Sequence, residues 1–192
     1  MNNNSTLNEA GNYNTAYVTQ AGFNSSATTV QNGDSGSSNI SQYSDNETAT
    51  VTQNGGGWGN QATVIQGSHN SYANVNIASI TQNGTNSTAT VSQDDYNYAG
   101  YSNSTATVTQ NLGNNNQAAI AQGAQSPGYA NTATITQTSD DNTADITQNG
   151  QYNTASINQN GAGNWADVVQ ASNGNTANIT QNGSNNTFTI HQ

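Results

Sequence analysis

The sequence predicts an all-β fold, a two-sheet β-solenoid of about 16 short strands with two strands in each of eight layers. Three observations support this. Glutamines at positions 137, 148, 159, 170, 181 and 192 recur with a constant spacing of 11 residues, and a short fixed period is typical of repeat architectures. Each of these glutamines closes a segment N-x-A-x-[IV]-x-Q, in which inward and outward residues alternate as in a β-strand. Four-residue connections rich in Asn and Gly, such as residues 149–152, separate the segments and indicate tight turns, in which we expect the Asn-Gly pair to supply the positive φ angles that both residues tolerate.

The same segment can be followed back through almost the whole chain. Closing glutamines recur at positions 20, 31, 42, 53, 66, 82, 93, 110 and 122, and Glu9 takes this place in the first segment. We therefore expect residues 1–192 to form a single domain. The first segments depart most from the pattern: residues 36–42 lack both the Asn and the Ala, and Val30 lies one position outward from the usual aliphatic residue.

Composition alone would suggest disorder, because 30% of the residues are hydrophobic and the formal charge is −10. The periodicity outweighs this, since a repeat array needs only a thin core shared between neighbouring layers. The absence of Lys and Arg argues against nucleic-acid binding and against binding to anionic lipid surfaces. No apolar run is long enough for a membrane span, and the N-terminus lacks the features of a signal peptide. We expect a processed form if the protein is secreted.

The inward positions carry Asn, Ala, Ile or Val, and Gln. Because the second strand of a layer runs back opposite the first, a small Ala faces a large Ile or Val. A buried amide is costly unless it is hydrogen-bonded, but an amide repeated in every layer can bond to its copies above and below. The sequence therefore predicts amyloid-like cross-β stacking with side-chain ladders. The predicted ladder and core residues are Asn131, Ala133, Ile135, Gln137, Asn142, Ala144, Ile146, Gln148, Asn153, Ala155, Ile157, Gln159, Asn175, Ala177, Ile179 and Gln181.

The two ends of the array predict how copies would meet. The first strand begins a few residues after Met1 and the last ends at Gln192, so we expect no capping element over either end. An open strand edge is a template for pairing, and head-to-tail contacts without closure give a filament. The residues expected to make this contact are Leu7, Glu9, Phe188, Ile190 and Gln192.

The repeat Q-N-G-x-x-N-T-A-x-I-x-Q, complete at residues 148–159, closely resembles the curlin repeat of the bacterial curli subunits. The resemblance covers nearly the entire chain. It implies a β-solenoid whose layers continue from subunit to subunit, with the inward Asn and Gln as ladder residues. It also implies a secreted, extracellular amyloid fibre at the cell surface that serves biofilm matrix and adhesion. The implied partners are further copies of the chain, a nucleator subunit and a curli-type secretion channel.

Long connections interrupt the middle of the array. The three longest, 66–76, 93–104 and 122–131, all follow even-numbered strands and should emerge on one edge in successive layers. They contain Tyr72, Tyr96, Tyr98, Tyr101 and Tyr129. Tyrosines provide large contact area at low entropic cost, so these residues could form a recognition patch for glycan, matrix or a neighbouring filament. The alternative is neutral variation, which loops tolerate.

The sequence offers no catalytic, cofactor or metal site. We find no set of nucleophile, base and orienting residue, so an enzyme is not predicted. His69 and His191 belong to different layers. The pairs Asp94-Asp95 and Asp140-Asp141 lack the spacing of a calcium loop, and turn formation explains them better.

An ice-binding β-solenoid is the alternative function. Outward pairs recur in four successive layers of one sheet, at Thr50/Thr52, Ser79/Thr81, Thr107/Thr109 and Thr134/Thr136. The array fails on both sides, where Thr28/Val30, Asn158 and Asn178 replace it. Threonine is also a good exposed strand residue. The fibre subunit is therefore the preferred interpretation.

Overall fold

The computed structural model describes residues 2–54, 58–67, 75–95, 103–124 and 130–192. They form 16 β-strands: β1 Asn4–Glu9, β2 Thr15–Gln20, β3 Ser26–Gln31, β4 Ser37–Gln42, β5 Thr48–Gln53, β6 Gln61–Gln66, β7 Ile77–Gln82, β8 Thr88–Asp95, β9 Thr105–Gln110, β10 Gln117–Ala124, β11 Thr132–Gln137, β12 Thr143–Gln148, β13 Thr154–Gln159, β14 Trp165–Gln170, β15 Thr176–Gln181 and β16 Thr187–His191. All are short, and together they cover every repeat found in the sequence.

The strands form two parallel sheets of eight strands each. One contains the odd-numbered strands in the order β1-β3-β5-β7-β9-β11-β13-β15, and the other contains the even-numbered strands in the order β16-β14-β12-β10-β8-β6-β4-β2. The chain crosses from one sheet to the other at every turn, which produces a β-solenoid. Equivalent positions of the repeat are paired in every layer, as in Gln137 with Gln159 and Ile135 with Ile157. The predicted fold class is confirmed.

The core is a thin layer of Ala, Ile and Val between the two sheets. Ile135, Ile146 and Ile157 are fully buried, and the alanines beside them are equally inaccessible. The hydroxyls of Thr29 and Ser38 lie 3.1 Å apart. Thr29 occupies the Ile position of β3 and Ser38 the Ala position of β4, so the large position of one sheet faces the small position of the other.

The turns differ from the sequence expectation in one respect. The Asn-Gly pairs were expected to supply positive φ angles, but in the regular turns the left-handed residue is the one immediately before the inward Asn position, such as Tyr152 at 56° or Asn185 at 57°. Gly150 is required for a different reason. A Cβ atom at this position would collide with the backbone carbonyl of Ser172 in the next layer. Glycine therefore permits turns to stack directly on one another.

The three long connections begin beside one another. They follow β6, β8 and β10, which are adjacent in the even sheet. β8 and β10 continue together beyond the usual closing glutamine, with Asp94 paired to Gly123 and Asp95 to Ala124. Tyr72, Tyr96, Tyr98, Tyr101 and Tyr129 lie outside the described residues, as does His69, so the surface patch stays a prediction.

Candidate assembly site

The inward glutamines form one continuous ladder of hydrogen bonds in each sheet. In every step the Nε2 of one glutamine donates to the Oε1 of the glutamine in the next layer, at distances from 2.8 to 3.2 Å. The odd ladder contains Gln31, Gln53, Gln82, Gln110, Gln137, Gln159 and Gln181, and the even ladder contains Gln20, Gln42, Gln66, Gln93, Gln122, Gln148, Gln170 and Gln192. All donate in the same direction, from the N-terminal to the C-terminal end of the solenoid.

Each glutamine also connects the two sheets. Besides its bond to Gln170, the Nε2 of Gln148 donates to the backbone carbonyl of Thr132 in the opposite sheet at 3.0 Å. Gln159 makes the equivalent bond to Thr143 at 2.9 Å. Both amide hydrogens are therefore used, which offsets the cost of burying the group. The glutamines fix both the register within a sheet and the position of one sheet against the other.

The inward asparagines bond differently from the predicted side-chain ladder. The Oδ1 of Asn131 accepts the backbone N–H of Asn153 at 2.9 Å, and the Oδ1 of Asn153 accepts that of Asn175 at 2.8 Å. Asn is one methylene shorter than Gln and lies at the start of its strand, where its oxygen reaches the backbone of the next layer. At the last layer, Asn186 Nδ2 donates to Asn164 Oδ1 at 3.1 Å. Apart from this last contact, the asparagine column joins the side chain of one layer to the backbone of the next.

Other residues can occupy the asparagine position. Ser25 Oγ accepts the N–H of Glu47 at 3.3 Å, and Ser104 Oγ accepts that of Asn131 at 3.4 Å. Gly36 donates its N–H to Asn14 Oδ1 at 2.8 Å. Glu47 is itself buried, with Oε2 accepting the N–H of Ser44 at 3.2 Å. The position therefore accepts side chains that differ widely in size, from none at Gly36 to the buried carboxylate of Glu47.

All 16 residues predicted as ladder and core lie at inward positions. Fifteen of them are buried, and Asn175, near the C-terminal end, is half-buried. Their positions follow directly from the parallel, in-register pairing of β11 with β13 and of β13 with β15. The structure adds the hydrogen-bond partners of the glutamine amides and of the asparagine Oδ1 atoms, which the spacing of the residues did not reveal.

The residues predicted for the subunit contact lie at the two ends of the solenoid. Leu7 is 54% exposed in β1 and Phe188 is 52% exposed in β16, while Ile190 packs partly against the core. Glu9 and Gln192 are exposed. Sequence reasoning named one strand at each end, whereas each end has two edge strands, one per sheet: β1 with β2, and β15 with β16. The alternation of strands between sheets was the signal that would have identified the second pair.

The two ends have opposite hydrogen-bonding character. At the N-terminal end, Gln20 donates to Gln42, and none of the described glutamines donates to Gln20. At the C-terminal end, Gln181 accepts the amide of Gln159 and directs its own Nε2 to the backbone carbonyls of Trp165 and Asn186, at 3.0 and 3.1 Å. Among the described residues, the first glutamine of each ladder therefore receives no amide from another glutamine, and the last donates to none.

The outward face of the odd sheet carries the threonine rows. Thr50, Ser79, Thr107 and Thr134 are paired in successive strands, and Thr52, Thr81, Thr109 and Thr136 form a second row beside them. Val30 continues the second row on one side and Asn158 on the other. The second row is therefore interrupted in both directions, whereas the first continues at Thr28 and Ser156, so the two rows lie side by side over four strands only.

Acidic groups on the outer surface interact mainly with their neighbours in adjacent layers. Asp145 is paired with Asp167 on β14. Partial burial raises the pKa of Asp145, and the negative charge of Asp167 raises it further, although a hydrogen bond from the Ile146 backbone opposes this. Asp167 Oδ2 lies 3.4 Å from His191 Nε2. Within the described ranges, no group of three His, Cys, Asp or Glu residues is arranged to hold a metal ion.

The aspartates in the turns stabilise the stacking of one turn on the next through hydrogen bonds. The Oδ1 atoms of Asp34, Asp45 and Asp140 each accept a backbone N–H of the turn in the preceding layer, at 2.7 to 2.8 Å. Asp141 Oδ1 accepts the side-chain amide of Asn115 at 3.1 Å. These bonds supply the structural role that the sequence suggested for the Asp140-Asp141 pair.

The described residues include no helix with the length and apolar character of a membrane span.

Comparison with protein families identified a repeat model that matches the chain in three ranges. The model described as the curlin-associated repeat matches residues 125–150, 139–171 and 150–183. The three overlapping matches fall in the region where the inward pattern of Asn, Ala, Ile or Val, and Gln is most complete. No curated protein and no solved structure matched the chain.

Proposed function

We propose that the chain is a structural subunit of a curli-type amyloid fibre, because the curlin-associated repeat model matches it within residues 125–183. Its activity is its own ordered polymerisation, in which copies join head to tail and the two sheets continue from one copy into the next. Both the repeat family and the β-solenoid point to a structural protein and not to an enzyme.

The complementary ends of the glutamine ladders carry this proposal. If a second copy docks its N-terminal end on the C-terminal end of the first, β1 continues the odd sheet beyond β15, and β2 continues the even sheet beyond β16. The amides of Gln181 and Gln192 then donate to Glu9 and Gln20 of the incoming copy, as each internal glutamine donates to the next. Two identical ends brought together would oppose acceptor to acceptor or donor to donor. The ladders therefore favour a polar filament.

Apolar side chains at the ends favour the same contact. Leu7 and Phe188 are more than half exposed. In the continued register Leu7 of one copy lies against Ile179 of its neighbour, and Phe188 lies against Ala16. Burying a large apolar side chain contributes about 1.5 to 3 kcal/mol. Strand pairing along both sheets adds backbone hydrogen bonds to this apolar contact.

The cellular setting is proposed from the family. We expect an extracellular fibre that contributes to biofilm matrix and adhesion, with a nucleator subunit and a curli-type secretion channel as partners besides further copies of the chain. The formal charge of −10 should keep the sides of neighbouring filaments apart, because like charges repel at low ionic strength. Added salt should accordingly promote lateral bundling.

The proposal is tested by seeded growth of the purified chain. We expect thioflavin fluorescence to rise after a lag in quiescent buffer, and fragments of the product to abolish that lag. Ser5→Pro should block growth at the N-terminal end. The N–H groups of Asn4 and Ala10 point towards β3, so the N–H of Ser5 points away from it and is available to an incoming strand. Proline is tolerated at such an edge position without loss of internal pairing.

Ser5→Ala is the matched control and should grow like the wild type. A wild-type chain that stays monomeric at high concentration, or a Ser5→Pro variant that elongates normally, would contradict the proposal.

The ice-binding alternative is not favoured. The second of its two threonine rows is interrupted at Val30 and Asn158, and the repeat match favours a curlin-type protein. Thermal hysteresis of the monomer separates the two functions, because a fibre subunit should show none.

A further inference from the structure

The odd ladder has a defect at its N-terminal end. Gln31 is fully buried, and its Oε1 atom has no hydrogen-bond partner among the residues that the structure describes. In the later layers, the equivalent oxygen receives the amide of the glutamine in the preceding layer, as Gln53 Oε1 does from Gln31 Nε2 at 2.8 Å. The residue paired with Gln31 in the preceding layer is Glu9. An ionised carboxylate has no hydrogen to donate, so two acceptors follow one another in the ladder.

We propose that Glu9 makes the N-terminal end of the solenoid an acid-sensitive docking surface for a second copy of the chain. The inference rests on the proposed head-to-tail function for the identity of that partner. When Glu9 is ionised, it accepts the amide of Gln181 from the neighbouring copy but leaves Gln31 Oε1 without a donor. When Glu9 is protonated, its O–H donates to Gln31 Oε1, and its carbonyl oxygen still accepts from Gln181. Acidification therefore completes the ladder through the junction.

The strands packed around Glu9 place no other charged side chain at this position of the odd ladder. β2 and β3, the strands nearest to β1, contain no acidic or basic residue, and Tyr17 of β2 is on the outer face. The adjoining turns contribute Tyr13 and Asp34, and the Oδ1 of Asp34 accepts the N–H of Asn12 at 2.7 Å. On a docked copy, β15 has no titratable side chain, and His191 of β16 is on the outer face of the other sheet.

The decisive variant is Glu9→Gln, which replaces the carboxylate with an amide of the same size. Gln supplies the missing hydrogen at every pH, so the odd ladder becomes continuous from its first layer. Asp141→Asn is the matched control, because it removes one negative charge from a turn distant from the junction. Asn tolerates the positive φ of 57° at this position and can still accept the amide of Asn115.

Two measurements on the full chain test the inference. The first is the hydrogen-exchange protection of Ala10, whose N–H donates to Gln31 O at 2.7 Å, in the soluble chain. The second is the rate of seeded elongation. At pH 7 we expect Glu9→Gln to raise both by about fivefold or more, because one buried acceptor gains its donor. At about pH 3, where carboxyl groups are largely protonated, the variant and the wild type should coincide. Asp141→Asn should follow the wild type at both values.

The outcomes separate this inference from the proposed function. If filaments grow and Glu9→Gln has the pH profile of the wild type in both measurements, the role of Glu9 is refuted while the fibre function stands. If no variant elongates seeds, the fibre function fails, and exchange at Ala10 alone decides whether Glu9 interrupts the ladder. A Glu9→Gln variant with unchanged protection at pH 7 overturns the inference in either case.

Discussion

The N-terminal layers, residues 3–47, and the C-terminal layers, residues 131–192, share one backbone register but differ at their inward positions. In the C-terminal layers, Asn, Ala and an aliphatic residue recur almost without exception, and this region contains most of the family match. In the N-terminal layers, Ser25, Gly36 and Glu47 occupy the asparagine position, while Thr29 and Ser38 occupy apolar positions. The pairing of strands is nevertheless the same in both regions.

The difference shows which inward residue the fold depends on most. Glutamine is retained from Gln20 to Gln192 in every layer, and its ladders are unbroken between these residues. Only glutamine bonds to its own copy and to the opposite sheet at once. The other positions vary, and their changes are compensated locally: Thr29 and Ser38 are adjacent and bond to each other at 3.1 Å. The glutamines therefore fix the strand register, while the residue types at the other inward positions vary.

The largest effect should follow removal of a glutamine from the C-terminal ladder. Gln148→Leu keeps the volume but leaves Gln122 Nε2, Gln170 Oε1 and the carbonyl of Thr132 without their partner. Unpaired buried groups cost about 1 to 3 kcal/mol each, so we expect a loss of at least about 3 kcal/mol in the free energy of unfolding. Urea denaturation measures it, with outward Thr147→Ala as the control. Gln42→Leu in the N-terminal layers should lower the free energy of unfolding by a similar amount. A much smaller loss there would show that the two regions do not depend equally on their glutamines.

Removal of an inward asparagine should have an intermediate effect. Asn153→Ala leaves the backbone N–H of Asn175 without its acceptor, and we expect a loss of about 1 to 2 kcal/mol. Asn153→Ser should recover part of this loss, because Ser25 already accepts the equivalent N–H in the N-terminal layers. The same urea titration compares both variants with the wild type. Equal losses for Ser and Ala would show that the serines of the N-terminal layers do not compensate.

The buried hydroxyl pair of the N-terminal layers should respond cooperatively. Ser38→Ala or Thr29→Val alone leaves one buried hydroxyl unpaired and should cost about 1 kcal/mol. The double variant restores the apolar pattern of the C-terminal layers and should be close to neutral or slightly stabilising. A double-mutant cycle in urea measures the coupling. Simple addition of the two single losses would rule out the compensation that we describe.

The smallest change in the free energy of unfolding should follow a substitution on the outer face of the C-terminal layers, at Asp145. Because partial burial and Asp167 raise the pKa of Asp145, the folded chain holds this proton more tightly than the unfolded chain. The contribution of Asp145 to the free energy of unfolding is therefore most favourable below the ordinary pKa of its carboxyl group, and it falls as the pH rises through the raised pKa. Asp145→Asn should remove this fall and stabilise the protein at pH 7 by about half a kcal/mol.

Unfolding titrations at pH 7 and about pH 3, where carboxyl groups are largely protonated, check this last prediction. The gain from Asp145→Asn should vanish at the acidic value and shrink in high salt, since the repulsion is exposed to solvent. A gain of equal size at both pH values would point to a cause other than charge.

The spacing of 11 residues was enough to predict the strands, the two sheets and the inward columns, because strand alternation leaves one consistent assignment of faces. It did not predict the bonding of Asn153, which depends on the reach of a shorter side chain to a particular backbone N–H. It also misplaced the strained turn residue, since Tyr152 adopts positive φ while Gly150 is needed for close stacking. The defect between Glu9 and Gln31 appears only when the direction of every ladder bond is known.

The most direct test of the fibre function is cryo-electron microscopy of filaments grown from the purified chain. Our account predicts a polar filament in which layers spaced by about 4.8 Å continue without interruption across each junction. β15 should pair with β1 of the next copy, and β16 with β2, so that Gln181 contacts Glu9 and Gln192 contacts Gln20. Junctions that join two like ends, or filaments in which the sheets stop at each copy, would contradict it.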